Sequence, residues 1–152
     1  MIKENVKAPF LARKLKVSDS FIPCPVDSDD ELFPNGIFVF NITKMTEYIQ
    51  RNPDEFMLEK IVVVDNYNDF STIDEGHLDR VDLLKPVVLA EIAPGRFNLI
   101  DGHHRMEKAH RMGVKELMAF KLRPDQHIKF MTERKGYIAY IEYWNDKLKR
   151  LN

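Results

Sequence analysis

The stretch Asn98-Leu-Ile-Asp-Gly-His-His-Arg-Met-Glu-Lys-Ala-His-Arg-Met-Gly113 decides how this chain is read. Phe97 to Ile100 are apolar or β-forming, Asp101-Gly102 is a turn signal, and Met106, Ala109 and Gly113 recur at helical spacing. A buried strand therefore runs through a glycine into a helix that ends at Gly113. Asp101, His103, His104 and Arg105 crowd the helix N-terminus. The first N–H groups of a helix lack intrahelical partners and carry partial positive charge, and a glycine lets a ligand approach the backbone closely. Gly102, His103, His104 and Arg105 are thus candidate phosphate ligands. Asp101, at the strand end, is placed to cap the helix, to hold Mg²⁺ or to act as a base, and His103 and His104 to move a proton. The plain alternative is a capped turn with solvated histidines.

A metal reading competes on the same helix. His103, Glu107 and His110 stand at i, i+4 and i+7 on one face, as a two-histidine, one-carboxylate set requires. His110 also lies beside the apolar face of Met106, Ala109 and Gly113 and is equally read as packed. Asp101 and Glu107 are the candidate metal ligands. Lys108 and Arg111 fall on the outer side and read as solvated.

Outward from the motif, Val87 to Ile92 and Phe97 to Ile100 form a hairpin across Ala93-Pro-Gly-Arg96, where Pro then Gly suits a type II turn. Leu117 to Leu122 is the next strand, and Pro124 to His127 starts a further helix, interrupted around Lys135-Gly136. Tyr137, Ile141, Trp144, Leu148 and Leu151 then trace an amphipathic helix that covers the core or forms a homodimer surface.

Upstream, Ile37 to Phe40 is a strand and Thr43, with Thr46 competing, caps a helix over Lys44 to Arg51. Pro53 to Phe56 begins a short helical turn. Glu59 to Asp65 reads as a strand buried on both faces, which brings Asp65 and Asn68 to the motif if the two strands are neighbours. A helix is expected from Ser71, a capping candidate, to Leu84, ended by Pro86. The first 20 residues form an arm with one strand near Leu11 to Val17. Cys24 is a loop thiol, and the acidic run Asp27 to Glu31 is a solvated loop or a lid that offers Asp29, Asp30 or Glu31 to a metal ion. These elements predict a small α/β (α+β) fold, a mixed sheet with flanking helices. Residues 1–36 form an N-terminal arm and acidic loop, 37–125 the core, and 126–152 a C-terminal helical segment packed on it.

The motif Leu99-Ile100-Asp101-Gly102-His103-His104-Arg105, followed by Ala109 and Gly113, resembles the ParB/sulfiredoxin superfamily, including its ParB-like nuclease domains, in which a strand leads into Gly-x-x-Arg at a helix head. The resemblance covers about Ile37 to Leu122. It implies a loop that binds a nucleoside triphosphate, ATP or CTP, with Mg²⁺, and chemistry that ranges in the superfamily from nucleotide hydrolysis and phosphoryl transfer to nuclease activity. His103 stands where sulfiredoxins place their cysteine, which excludes sulfinic acid reduction here. His103-His104 replaces the Glu-Arg that partition proteins carry after the glycine, so only Arg105 of that run carries over and its metal-binding glutamate is missing, and no helix-turn-helix for DNA reading follows.

Composition sets the remaining bounds. A chain of 152 residues suits one domain. Lys plus Arg total 23 against 24 Asp plus Glu, so the global basic excess of a non-specific DNA binder is missing. No apolar run has signal-peptide or membrane-span length, and one cysteine forms no internal disulfide, so a cytoplasmic protein without a membrane partner is expected. Nucleotide is the expected partner; DNA, read by a ParB-like nuclease or by a non-catalytic interaction module, is the alternative.

Overall fold

The structure is a computed structural model that describes residues 12–69 and 73–151. The fold is mixed α/β. Its centre is the strand β4 (Val87–Ala93), which hydrogen-bonds antiparallel to β5 (Arg96–Asp101) on one side and parallel to β6 (Glu116–Leu122) on the other. β3 (Met57–Val62) completes the sheet beside β6, in the order β3-β6-β4-β5. A separate two-stranded ribbon pairs β1 (Leu32–Asn35) with β2 (Phe38–Asn41).

The alternation of β4 explains the layering. Val88, Ala90 and Ile92 point into one hydrophobic cluster and Val87 and Leu89 into another, because successive strand residues face opposite sides of a sheet. On the first face lie α1 (Ile42–Arg51), through Ile42, Met45 and Ile49, and the long C-terminal helix α6 (Arg134–Leu151), through Tyr137, Tyr140, Ile141 and Trp144. On the second face lies α4 (His103–Met112), through Met106 and Ala109. Short helices α2 (Val63–Asn66), α3 (Glu75–Leu78) and α5 (Pro124–His127) join the larger elements, with 3-10 turns at Pro53–Glu55 and Ile128–Phe130. Among the described residues no helix is long and apolar enough to cross a membrane.

The β4-β5 hairpin, the strand β6, the short turn after Asn52 and the Gly113 stop follow the sequence reading. Gly95 and Gly113 hold φ of 77° and 72°, the left-handed conformation that the turn and the helix end require.

Several expectations are corrected. Residues 12–17 form no strand; Asn145 of α6 bonds both the N–H and the carbonyl of Leu15, and the Trp144 indole donates to the Arg13 carbonyl. Leu11 lies outside the described residues. Neither Thr43 nor Thr46 caps α1. Asn41 accepts from the Lys44 N–H at 3.0 Å, while Thr43 Oγ1 accepts from the Glu31 N–H and Thr46 donates back to its own helix. The apolar run before Asp65 is not a doubly buried strand. β3 is an edge strand with Met57, Leu58 and Val62 exposed, and the chain turns into α2 at Val63. The long helix expected to reach Leu84 is the four-residue α3. Beyond it Asp82 Oδ1 takes the Leu84 N–H, a local side-chain bond that competes with helix continuation. Ser71, its expected cap, lies outside the described residues. α6 is not interrupted at Gly136 either. A Cβ there would stand 2.8 Å from the Ile37 carbonyl oxygen, so this glycine lets the helix close on the ribbon.

Candidate functional site

The sheet delivers the motif rigidly. β5 ends at Asp101, Gly102 takes φ of 102°, and α4 begins at His103. A Cβ on Gly102 would lie 2.5 Å from Val87 Cγ1 and 2.9 Å from an Arg105 nitrogen, so both backbone conformation and space demand glycine. No side chain caps α4, and the N–H groups of its first turn keep their partial positive charge. The Arg105 guanidinium folds back over the junction, donating through Nη2 to the Pro86 carbonyl at 3.2 Å and to Asp101 Oδ2 at 3.3 Å. Its Nε is buried with no hydrogen-bond partner among the described residues. Arg105 thus braces the start of β4 to the end of β5 and pairs with the carboxylate that the sequence offered as a base or metal ligand.

The two histidines diverge. His103 stacks on Phe33 of β1, with ring centroids 5.0 Å apart. Burial pushes its imidazole below the usual value, against the opposing pull of Asp101, so the ring is neutral at pH 7 and able to accept a proton. His104 turns toward α3. Its Nε2 accepts from the Asp74 N–H at 3.0 Å, which leaves Nδ1 as the protonated nitrogen in the neutral ring, and it meets His77 edge to face at 4.9 Å.

Asp101, Gly102, His103, His104 and Arg105 open together into one cleft of about 740 Å³, within the size range of small-molecule sites. Apart from Glu31, which the acidic run offered, its other walls were not legible in the sequence. Thr43, Thr46, Glu47 and Gln50 enter from one face of α1, Phe33 and Glu31 from β1 and the residue before it, and Asp69, His77 and Lys85 from the segment preceding β4. The only sequence signal for α1 was its i, i+3, i+4, i+7 spacing of polar residues, which any solvated helix face shares. Lys85 makes no ion pair among the described residues and stands two residues before Val87, the residue that packs on Gly102.

The rest of α4 is engaged elsewhere. Glu107, a candidate metal ligand, is buried and does not reach the cleft; it accepts from the Tyr67 hydroxyl at 3.0 Å and from Arg111 Nε at 2.7 Å. His110 stacks on Tyr67 at 3.7 Å. Packing therefore takes both residues away from His103, and the described residues contain no group of three or more His, Cys, Asp or Glu able to hold a metal ion. Arg111 and Lys108 are not merely solvated. Arg111 also grips Glu75 with two bonds of 2.6 and 2.8 Å, holding the Glu75 carboxyl below its ordinary range, and Lys108 donates to the Val81 carbonyl. These contacts fasten the segment carrying His77 and Lys85 against α4.

Asp65 and Asn68 do not line the cleft, because β3 pairs with β6 at the sheet edge opposite β5; Asp69 does. In the acidic loop, Asp30 accepts from Asn41 and from the Asp27 N–H, and both it and Asp27 pair with Lys44. The Asn41 bond, with the Asp27 N–H next, holds the Asp30 carboxyl below its usual value. Glu31 is the loop's one carboxylate in the cleft among the described residues. Cys24 is buried, and burial raises its thiol. No family model, no curated protein and no solved structure matches the chain.

Proposed function

We propose that this chain binds a nucleoside triphosphate in the cleft, its phosphates against the N-terminus of α4, and hydrolyses it or transfers its terminal phosphoryl group. The observation that carries the reading is the coincidence, in one cleft, of an uncapped ten-residue helix head, a glycine that must stay bare, and the side chains of Lys85, His77, His103 and His104. A polyanion needs such a set: backbone N–H groups fix its oxygens, while an ammonium, here that of Lys85, neutralises the outer charge. The resemblance of the Asp-Gly-His-His-Arg loop to ParB-like sites points the same way.

The residues divide the work. Gly102 and the N–H groups after it hold the phosphates, with Lys85 supplying charge. Of the four carboxylates that line the cleft, Asp101 and Glu31 would hold a Mg²⁺, which would neutralise phosphate charge there. Neutral His103 takes the proton of the attacking water or hydroxyl as the new O–P bond forms and the bond to the terminal phosphoryl breaks, releasing the nucleoside diphosphate. His104, bonded to the Asp74 N–H, holds the wall that carries His77 and Lys85.

Calorimetric titration of ATP, CTP and GTP, with and without Mg²⁺, tests the reading. Binding of at least one nucleotide is expected, weakened about tenfold or more in Lys85→Ala, whose ammonium makes no ion pair among the described residues, and more strongly in Arg105→Ala. Binding of none of the three, by a protein whose circular dichroism shows it folded, overturns it. Nucleotide-independent, salt-sensitive binding of duplex DNA in its place would favour the DNA-associated alternative.

A further inference from the structure

The cleft has two unlike walls. The α4 wall offers the backbone N–H groups of the uncapped helix head, with Lys85 beside it. The α1 wall presents Thr43, Thr46, Glu47 and Gln50 in line, and β1 lies between the walls, touching both α1 and β5. Two of the four are spoken for: Thr43 Oγ1 accepts from the Glu31 N–H, and Thr46 donates to the Ile42 and Thr43 carbonyls. Gln50 is exposed and hydrogen-bonds to none of the described residues, and Glu47 has only a 3.9 Å contact to the exposed Arg51. Phe33, already stacked on His103, puts an aromatic ring at the floor between the walls.

A triphosphate has no use for the α1 wall. Glu47 repels phosphate, and the Gln50 amide is neutral. Together they suit the edge of a base, because a carboxylate only accepts hydrogen bonds whereas a primary amide both donates and accepts. Resting on the nucleotide reading above, we infer that α1 is the base-reading wall of the cleft, Glu47 accepting from an exocyclic amine and Gln50 pairing with the same edge, so that nucleotides with an amino-bearing base are selected over uridine nucleotides. Adenine, cytosine and guanine each carry such an amine. Uracil offers carbonyl oxygens in its place, and one of these facing Glu47 sets acceptor against acceptor. Gln50 alone adapts to either pattern by turning its amide over; Glu47, which has no donor, supplies the discrimination.

The test compares ATP, CTP, GTP, UTP and inorganic tripolyphosphate on the wild-type chain, Glu47→Gln and Gln50→Ala. Both side chains are exposed on α1, so neither change disturbs the core. UTP is expected to bind at least about tenfold more weakly than the best of the other three. Glu47→Gln, which restores a donor, is expected to bring UTP to within about threefold of that nucleotide. Gln50→Ala weakens the amino-bearing nucleotides and leaves tripolyphosphate binding unchanged, and Glu47→Gln, which removes a charge that repels phosphate, does not weaken tripolyphosphate binding. UTP binding as well as the rest, or a preference that survives Glu47→Gln, overturns the inference and leaves the phosphate site standing. The same holds if tripolyphosphate binds as tightly as every nucleotide. Failure of tripolyphosphate and of all four nucleotides removes the nucleotide reading and this inference with it.

Discussion

Two groups of histidines meet the β4-β5 hairpin, and they have opposite fates. His127 is fully buried, its Nε2 2.8 Å from the Glu91 carbonyl oxygen, which also accepts from the Tyr140 hydroxyl at 2.7 Å. Its Nδ1 has no partner among the described residues. His103 and His104 are partly exposed in the cleft, one stacked on a ribbon side chain and the other bonded to a loop N–H. The same side chain serves as filler where the core closes over it and as a chemical group where the sheet ends and a helix begins. The difference lies in what surrounds each ring: Phe40 and Tyr140 meet His127 edge-on inside the core, whereas the rings at the cleft meet Phe33 and the Asp74 N–H and stay partly exposed.

The largest effect should come from closing the open group. Gly102→Ala forces a side chain into a left-handed backbone and into Val87, and should cost roughly 2–5 kcal/mol, read as a lower urea midpoint together with lost nucleotide binding. A second substitution, Val87→Ala, should recover only the part of that loss owed to Val87 Cγ1, because the Val87 Cβ and the Arg105 nitrogen, both 2.9 Å from the added carbon, remain. Recovery to the wild-type midpoint would show that φ carries no cost here.

Acid probes the closed group. Burial pushes His127 down to about 4, below the ordinary value near 6.5. The unfolded chain therefore binds more protons between those values, and stability falls as pH drops from about 6.5 through about 4, by on the order of 3 kcal/mol. His127→Leu should be less stable at pH 7 yet flatten that part of the pH profile. The partly buried Glu91 carboxyl, raised by desolvation, runs the other way, favouring the folded state as pH falls. An unchanged profile in His127→Leu would mean that the ring opens to water before it titrates.

Tyr140→Phe should have a smaller effect. It removes one of two donors from the Glu91 carbonyl and should destabilise by about 1 kcal/mol without altering nucleotide affinity, which separates the closed group from the cleft. The smallest equilibrium effect belongs to His104→Ala. It deletes one bond to an exposed N–H, so thermal stability should hardly move. Amide exchange across Asp74 to Leu78 should quicken, and slowed exchange would contradict the fastening role.

Local pattern made some elements legible and left others hidden. The β4-β5 hairpin, the Gly102 junction and the Gly113 stop all rest on backbone rules that act within a few residues, and each stands where the sequence put it. The failures fall where two local rules compete. Val62, Val63 and Val64 are fit for a strand, yet the strand ends after the first of them; Thr43 is a good cap that lost to Asn41 two residues earlier. In the site, Asp101 to Arg105 gather because they are contiguous. Glu47, Gln50, Lys85, His77 and Phe33 join them only because β1, α1 and the segment before β4 converge there.

By itself, then, the order of residues determined a strand-glycine-helix junction with its polar groups at one helix head, a mixed sheet around it, and an amphipathic C-terminal helix. These follow from φ preferences, side-chain periodicity and the unpaired N–H groups of a first turn, all set by near neighbours in the chain. Tertiary structure alone decided that Glu107 and His110 turn to Tyr67 rather than to a metal, that Arg105 reaches the Pro86 carbonyl, and that α1 faces the cleft. Those outcomes depend on which distant groups packing brings within hydrogen-bond reach, and a burial or pairing partner tens of residues away leaves no mark on local spacing.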